Sequence, residues 1–251
     1  MNPFYFGDTG NALYGVHHPP RGSTSRASGV VLCYPFAQEY MRAHRAFRQL
    51  SLLLSGEGFH TLRFDYSGTG DSSGEPADMS LAGLDENLAT AIEELIDAAG
   101  VESVWLVGLR LGAAIALRAA TRTQVAGVVL WDPVVVGSAQ LDGAHAARNG
   151  TGARVVELGG VPISSGLQND LHALDLSRTP IPRHLSCLVA VSDDAPRYRG
   201  LCDRLTRDGA EVTYQCVPGD GRWSEFDNWG SALIPQALIK VIVDYLKLSA
   251  K

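Results

Sequence analysis

The sequence has no uninterrupted apolar run of the length a membrane span needs. At its start, Met1-Asn2-Pro3-Phe4-Tyr5 shows no basic region followed by an apolar stretch, so no signal peptide is expected. Cysteine is sparse. Cys33, Cys187, Cys202 and Cys216 form no close pair, and three of them sit in apolar, strand-like runs. Free thiols in a reducing cytoplasm fit this better than disulfides or a metal centre. Positive charge is not clustered: the formal net charge is −6 and the basic residues are scattered, which argues against a nucleic-acid footprint. Internal repeats and low-complexity tracts are absent as well. His17, His18, His145, His172 and His184 have no spacing, among themselves or with carboxylates, that suits a metal, and no cofactor is expected.

With 251 residues, 45% of them hydrophobic, the chain can build a sizeable core. That length suits one α/β domain with an insertion, or at most two domains. Phe4-Tyr5-Phe6 and Ala12 to Val16 read as short strands joined by a turn. After a breaker-rich loop from Pro19 to Ser28 comes a buried strand, Val30 to Tyr34, closed by Pro35. A helix is predicted from about Met41 to Leu54, with Ala43, Phe47, Leu50 and Leu54 on one face. Phe59 to Phe64 is the next strand and runs into the turn-dense stretch Asp65 to Gly74. Ser80 to Ala99 reads as a long amphipathic helix stopped by Gly100. Further strands are predicted at Val125 to Trp131, Cys187 to Val191 and Val212 to Val217, with helices at Tyr198 to Arg207 and Ala232 to Leu248.

Residues 134–184 lose this rhythm. Apart from Leu167 to Leu176, which reads as a helix, they hold only short polar pieces. They are expected to be a lid inserted over the carboxyl edge of the sheet, with 1–133 and 185–251 forming the core. Strands alternating with helices imply an α/β fold with a mostly parallel, doubly wound sheet.

The most informative stretch is Val104-Trp105-Leu106-Val107-Gly108-Leu109-Arg110-Leu111-Gly112-Ala113-Ala114. A buried strand ends in a tight turn, and a helix-forming run follows. The two glycines flank the residues that the turn pushes above the sheet, with Arg110 at its apex. A guanidinium stays protonated and offers no acceptor lone pair, so it cannot attack a carbonyl.

Three stretches, in this order and spacing, resemble the α/β-hydrolase superfamily in its serine aminopeptidase/lysophospholipase-like branch. Val30 to Phe36 matches the strand that leads to the oxyanion loop, Asp65 to Gly74 the D-x-x-G-x-G-x-S loop, and Gly108 to Gly112 the G-x-S-x-G nucleophile elbow. The resemblance covers nearly the whole chain. It implies a sheet of the α/β-hydrolase type with a small lid, and a catalytic set of serine, acid and histidine. The serine position is Arg110. The acid position falls at Ser192-Asp193-Asp194, which leaves two carboxylates to choose from. A histidine is expected near Arg222, within Val217 to Trp223, and none is there. With both residues replaced, fold analogy does not extend to hydrolysis.

The remaining groups suggest other chemistry. Arg110 lies near a helix N-terminus, and both features favour an anion. A guanidinium grips a carboxylate or enolate with two parallel prongs. The alternative is an arginine paired with a buried carboxylate such as Asp132 or Asp194 in a retired site. The loop from Phe36 to His44 is rich in reactive groups. By the resemblance, the Phe36 N–H faces a bound oxyanion. Glu39 or His44 is a candidate general base; the plainer reading is a capping glutamate and a surface histidine. Asp132 closes a strand at the edge where ligands bind in α/β sheets, or simply starts a turn before Pro133. Asp194 is retained as a catalytic candidate. Phe36, Ala37, Tyr40, Leu111, Asp193, Arg222 and Trp223 are the candidate substrate-binding residues. Trp223 takes the space of the histidine ring or packs in the core. Asp71 and Ser72 are expected to shape their loop.

Three functions stay open. The first is a cofactor-free lyase that eliminates acetate or a similar acid from an acyl ester, with Arg110 stabilising the anion. In this it resembles the acetate-eliminating enzymes of tetronate polyketide pathways. The second is an esterase or acyltransferase with a displaced nucleophile, Ser164, Ser165, Ser224 or Cys33. The third is a non-catalytic binding or scaffold protein. The expected partner is a small acyl ester or carboxylate, with no nucleic acid and no membrane; a homodimer is compatible with the sequence.

Overall fold

The computed structural model describes residues 1–22, 25–142, 144–148, 154–219, 221, 223 and 234–250. The elements follow one another as β1 (Asn2–Phe6), β2 (Leu13–His18), β3 (Ser28–Cys33), α1 (Gln38–Gly56), β4 (His60–Phe64), α2 (Leu81–Ala99), β5 (Ser103–Leu109) and α3 (Leu111–Ala119). Next come β6 (Gly127–Trp131), β7 (His145–Arg148), β8 (Arg154–Leu158), β9 (Val161–Ile163), α4 (Ser165–Ala173), β10 (Ser186–Val191), α5 (Pro196–Arg207), β11 (Glu211–Cys216) and α6 (Gln236–Ser249). Short 3-10 turns cover Pro76–Asp78, Gly137–Leu141 and Leu176–Arg178.

Eight strands form one sheet in the order β1-β2-β4-β3-β5-β6-β10-β11. The pairs β1–β2 and β2–β4 are antiparallel, and the rest are parallel. The strands bury both faces, as a helix-covered parallel sheet requires. Alternate residues therefore enter two separate cores. Val31, Val104, Leu106, Val128, Leu130 and Val189 face one core, with α2, α3 and α5. Val30, Leu32, Trp105, Val107, Val129 and Trp131 face the other, with α1 and α6. The period-2 pattern of the strands thus sets the doubly wound architecture.

Local chemistry sets the ends of the elements. The Ser80 side chain accepts the Gly83 N–H to start α2, and Gly100 closes it in the left-handed conformation at φ 64°. Helix α1 begins at Gln38, three residues earlier than the apolar pattern predicts. Its first turn is polar, so hydrophobic spacing could not reveal it. This difference puts Glu39 and Tyr40 on a helix rather than in a loop.

Residues 134–184 hold more order than their sequence suggested. β7, β8 and β9 form a small antiparallel sheet, and α4 starts at Ser165. Strands of three to five residues are too short for alternation to stand out. Among the described residues, no helix is long and apolar enough to cross a membrane.

The sheet order carries the functional consequence. From β3 the chain steps to β4 on one side, then returns to β5 on the other. The carboxyl ends of β3 and β5 therefore flank a topological switch point, where α/β sheets open a crevice.

Candidate active site

Arg110 sits at the end of β5, between strand and helix, with φ 56° and ψ −117°. Few non-glycine residues adopt a positive φ. Ala37, after β3, has φ 55°, and Asp132, after β6, has φ 40°. Three strained residues thus stand at the ends of three neighbouring strands, and such positions cost on the order of 1–3 kcal/mol each. Backbone bonds hold the turn: Arg110 N–H donates to the Trp131 carbonyl, and the Arg110 carbonyl accepts from Val134. The flanking glycines are required by space. A Cβ on Gly108 would come within 2.3 Å of the Gly112 carbonyl oxygen, and one on Gly112 within 2.2 Å of the Cys33 carbonyl oxygen. The helix can press against both strands only without those side chains.

This packing directs Arg110 toward the first turn of α1. Its Nε donates to Glu39 Oε1 at 2.9 Å, and its Nη1 donates to the Asp132 carbonyl oxygen at 3.3 Å. Glu39 is 3% exposed. Its second oxygen, Oε2, accepts from Gln140 Nε2 at 3.3 Å. Burial opposes the Arg110 charge, but the adjacent Glu39 carboxylate outweighs it and leaves the guanidinium above its ordinary pKa. Among the described residues, Nη2 donates to none.

The pair lines a cleft of about 60 Å³, room for a handful of water-sized groups. Phe36, Ala37, Gln38, Arg110 and Glu39 form the sheet side. Ala139, Gln140, Asp142, Leu158 and Gly159, all from residues 134–184, form the other.

Asp132 lies behind the cleft, 2% exposed. Its Oδ1 accepts from the Ser192 N–H at 2.7 Å and the Ser192 hydroxyl at 2.9 Å, and its Oδ2 accepts from Trp223 Nε1 at 2.8 Å. Burial raises its pKa, and the bonds from Trp223 and Ser192 hold the rise in check.

Of the residues singled out in the sequence, the structure brings Arg110, Glu39, Phe36 and Ala37 to the cleft, with Asp132 just behind. Others stand elsewhere. Asp194 is exposed and bonded to Arg199 and Tyr214. Asp193 is exposed and pairs with Arg197. The Ser192 backbone and hydroxyl turn inward to Asp132, and the two carboxylates of the expected acid position stand exposed outside the cleft lining. The buried partner of Arg110 is likewise Glu39 rather than Asp132 or Asp194. Tyr40 donates to Asp65 Oδ1 at 2.7 Å instead of facing the cleft. Burial and Asp65 both push its pKa upward. His44 is exposed, with its ring near Arg63 and Tyr34. Leu111 is buried in the first turn of α3. Trp223 is 1% exposed and packs edge-on against Trp131, so it belongs to the core rather than the cleft wall. Arg222 and Ser224 lie outside the described residues.

The other displaced nucleophiles fare no better. Ser164 caps α4, accepting from Leu167 N–H and donating to the Met79 carbonyl. Ser165 opens that helix. The Cys33 thiol is fully buried, which pushes its pKa up to about 12. The loop after β4 is held as expected: Asp71 N–H and the Ser72 hydroxyl both donate to Asp65. Gln140 was not foreseen; a single glutamine in a turn-rich stretch carries no signal.

The comparisons agree with this architecture. The alpha/beta hydrolase family model matches residues 33–241, and the chain belongs to that family. Among solved structures, the chain is similar to a putative hydrolase from Agrobacterium vitis S4, at 18% identity over 100% of this chain and 98% of that one, with a TM-score of 0.60. It is also similar to Est1E from Butyrivibrio proteoclasticus, solved with ferulic acid bound (14% identity, 98% and 96% coverage, TM-score 0.69). A third is DcsB in complex with its substrate analogue (13% identity, 99% of each chain, TM-score 0.71). At these identities the likeness establishes the fold. No curated protein matches the sequence.

Proposed function

We propose that this protein is a non-hydrolytic lyase that eliminates acetate, or a similar carboxylic acid, from an acylated small molecule of the polyketide or tetronate type. The observation that carries the reading is the Glu39–Arg110 ion pair on the cleft wall, with its cation at the elbow apex. An arginine there cannot form an acyl-enzyme. Glu39 is the base: it takes a proton from the carbon beside a carbonyl. The electron pair becomes the new C=C bond, the C–O bond to the acyloxy group breaks, and the acid leaves as its anion. Arg110 meets that anion through Nη2, aided by the N-terminus of α3. Asp132, bonded to Trp223 where the family expects histidine, plays no part in proton transfer. Est1E, which shares the fold, was solved with a carboxylic acid bound.

The bond that breaks distinguishes elimination from hydrolysis. A substrate carrying acetate on the carbon β to a carbonyl is incubated in H2(18)O. Elimination yields an alkene and acetate free of 18O, and Arg110→Ala slows it by roughly 100-fold or more. Acetate carrying 18O, or covalent labelling by a fluorophosphonate, would show acyl transfer to solvent and overturn the reading.

One observation favours a second reading. Glu39 already neutralises Arg110, which suits a non-catalytic protein that binds an acid and releases it unchanged. An acid ligand bound in the cleft, with no alkene formed from any acyloxy carbonyl compound, would select that alternative.

A further inference from the structure

A residue that lines the cleft carries a buried polar atom with no partner among the described residues. Gln140 is 7% exposed and comes from the 3-10 turn Gly137–Leu141. Its orientation is fixed by chemistry: only the amide nitrogen can donate to Glu39 Oε2, so Nε2 faces that carboxylate and Oε1 points away from it. Oε1 is buried and meets no donor among the described residues. Native proteins seldom leave a buried acceptor unmet, and an exception calls for a physical reason. Here the residue carrying it lines the cleft.

We infer that Gln140 is a specificity-determining residue whose side-chain carbonyl reads a hydrogen-bond donor on the ligand. The substrate class is thereby narrowed to acyl compounds that bear a hydroxyl or an amide N–H close to the reacting acyl group. The inference rests on the proposed cleft as the binding site, and it deepens that reading. It follows from an asymmetry in hydrogen bonding. A ligand with the donor fills an acceptor that otherwise stays empty, and a ligand without it leaves the acceptor unmet. Sites built in this way reject the analogue that lacks the donor more strongly than apolar pockets reject a missing methylene.

Two ligand pairs test this: acetate against glycolate, and methyl acetate against methyl glycolate. Each pair differs by one hydroxyl, and the esters carry no charge. Dissociation constants come from NMR titration of the intact protein. The hydroxylated member of at least one pair is expected to bind about tenfold more tightly to the wild type. In Gln140→Met, and in Gln140→Leu as a second variant, that preference falls to within about twofold. If the esters show the preference while neither carboxylate binds, the anion-handling function fails and the role of Gln140 stands. Absence of a hydroxyl preference in both pairs, or a preference that survives loss of the Gln140 amide, overturns the inference. The wild-type arm needs no variant to fold.

Discussion

Two arginines flank the start of α1, and their surroundings differ. Arg63, on β4, is 7% exposed. It donates to His18 Nε2 at 3.1 Å and to Tyr34 Oη at 3.3 Å, and its Nη1 lies 3.5 Å from His44 Nε2. Those acceptors are neutral groups, and the nearby Asp65 carboxylate is occupied by Tyr40 and the backbone of Asp71. Arg110 is matched instead by a full opposite charge, lines a cleft, and keeps Nη2 uncommitted among the described residues. One arginine ties elements together; the other holds charge at a surface a ligand can reach. Helical geometry divides the candidates between them. Tyr40 and His44 are four residues apart, so they share a face, whereas His44 stands about 140° round the helix from Glu39.

The sharpest way to break this comparison is to remove the charge match at Arg110. Glu39→Gln leaves a mostly buried guanidinium without its counter-ion and should cost about 3–4 kcal/mol, toward the lower end of buried-pair losses because the Arg110 side chain is 22% exposed. Arg110→Met should also destabilise, by stranding the carboxylate. The double variant should lose less than the sum, a coupling read from urea midpoints. Additive losses would mean that the pair is not a unit.

The structural arginine makes a different prediction, in pH. Burial and the neighbouring Arg63 lower the His18 pKa from 6.5 to about 4. The fold accepts His18 neutral, since its Nε2 must receive the Arg63 N–H. A group depressed in the folded state contributes stability that is complete above its unfolded pKa and is lost as pH falls toward the folded value. Stability should therefore decline between pH 6.5 and 4, by about 2–3 kcal/mol at pH 4.5. His18→Asn keeps an acceptor but does not titrate, so its urea midpoint should fall less over the same range. Parallel acid profiles for wild type and variant would remove His18 from the account.

The contrast between the clusters also shows what a sequence can disclose. The sheet was legible because strands buried on both faces write long apolar runs, as in Val30 to Tyr34 and Val104 to Leu109. The elbow was legible because close contact forces glycine at 108 and 112. Glu39 could be proposed as a candidate base, but as the partner of Arg110 it could not be told apart from other carboxylates. Where Asp193 and Asp194 face depends on which way the chain turns after β10, and that is set by the hydrogen bonds from Ser192 to Asp132 rather than by residue type. The Arg63 cluster joins residues from β2, the segment just after β3, β4 and α1 with no common spacing. Gln140 and the β7–β9 sheet lay in a segment whose pieces are too short to show a period.

Trp223→Phe should have a smaller effect than either arginine-linked change. It keeps an aromatic ring against Trp131 but removes the indole N–H from Asp132 Oδ2. A lost bond of this kind costs about 1–2 kcal/mol. Without that donor the Asp132 pKa, already raised by burial, should rise further. Such a shift would be visible in the carboxyl carbon resonance during an NMR titration. An unchanged titration would mean that the indole does not stabilise the carboxylate.

The least disruptive change is the most discriminating for mechanism. His44 is exposed, and burial together with Arg63 lowers its pKa. As a neutral imidazole at physiological pH it satisfies one requirement of a general base, but it lies on the wrong side of α1. His44→Ala should alter stability by no more than about 0.5 kcal/mol, as for most surface substitutions. It should leave both acyloxy turnover and acid binding at wild-type levels, while Glu39→Gln abolishes turnover. The two variants thus assign the base to one face of a single helix. If His44→Ala lost turnover and Glu39→Gln retained it, proton transfer would belong to the Arg63 side, and the cleft beside Arg110 would be left with binding alone.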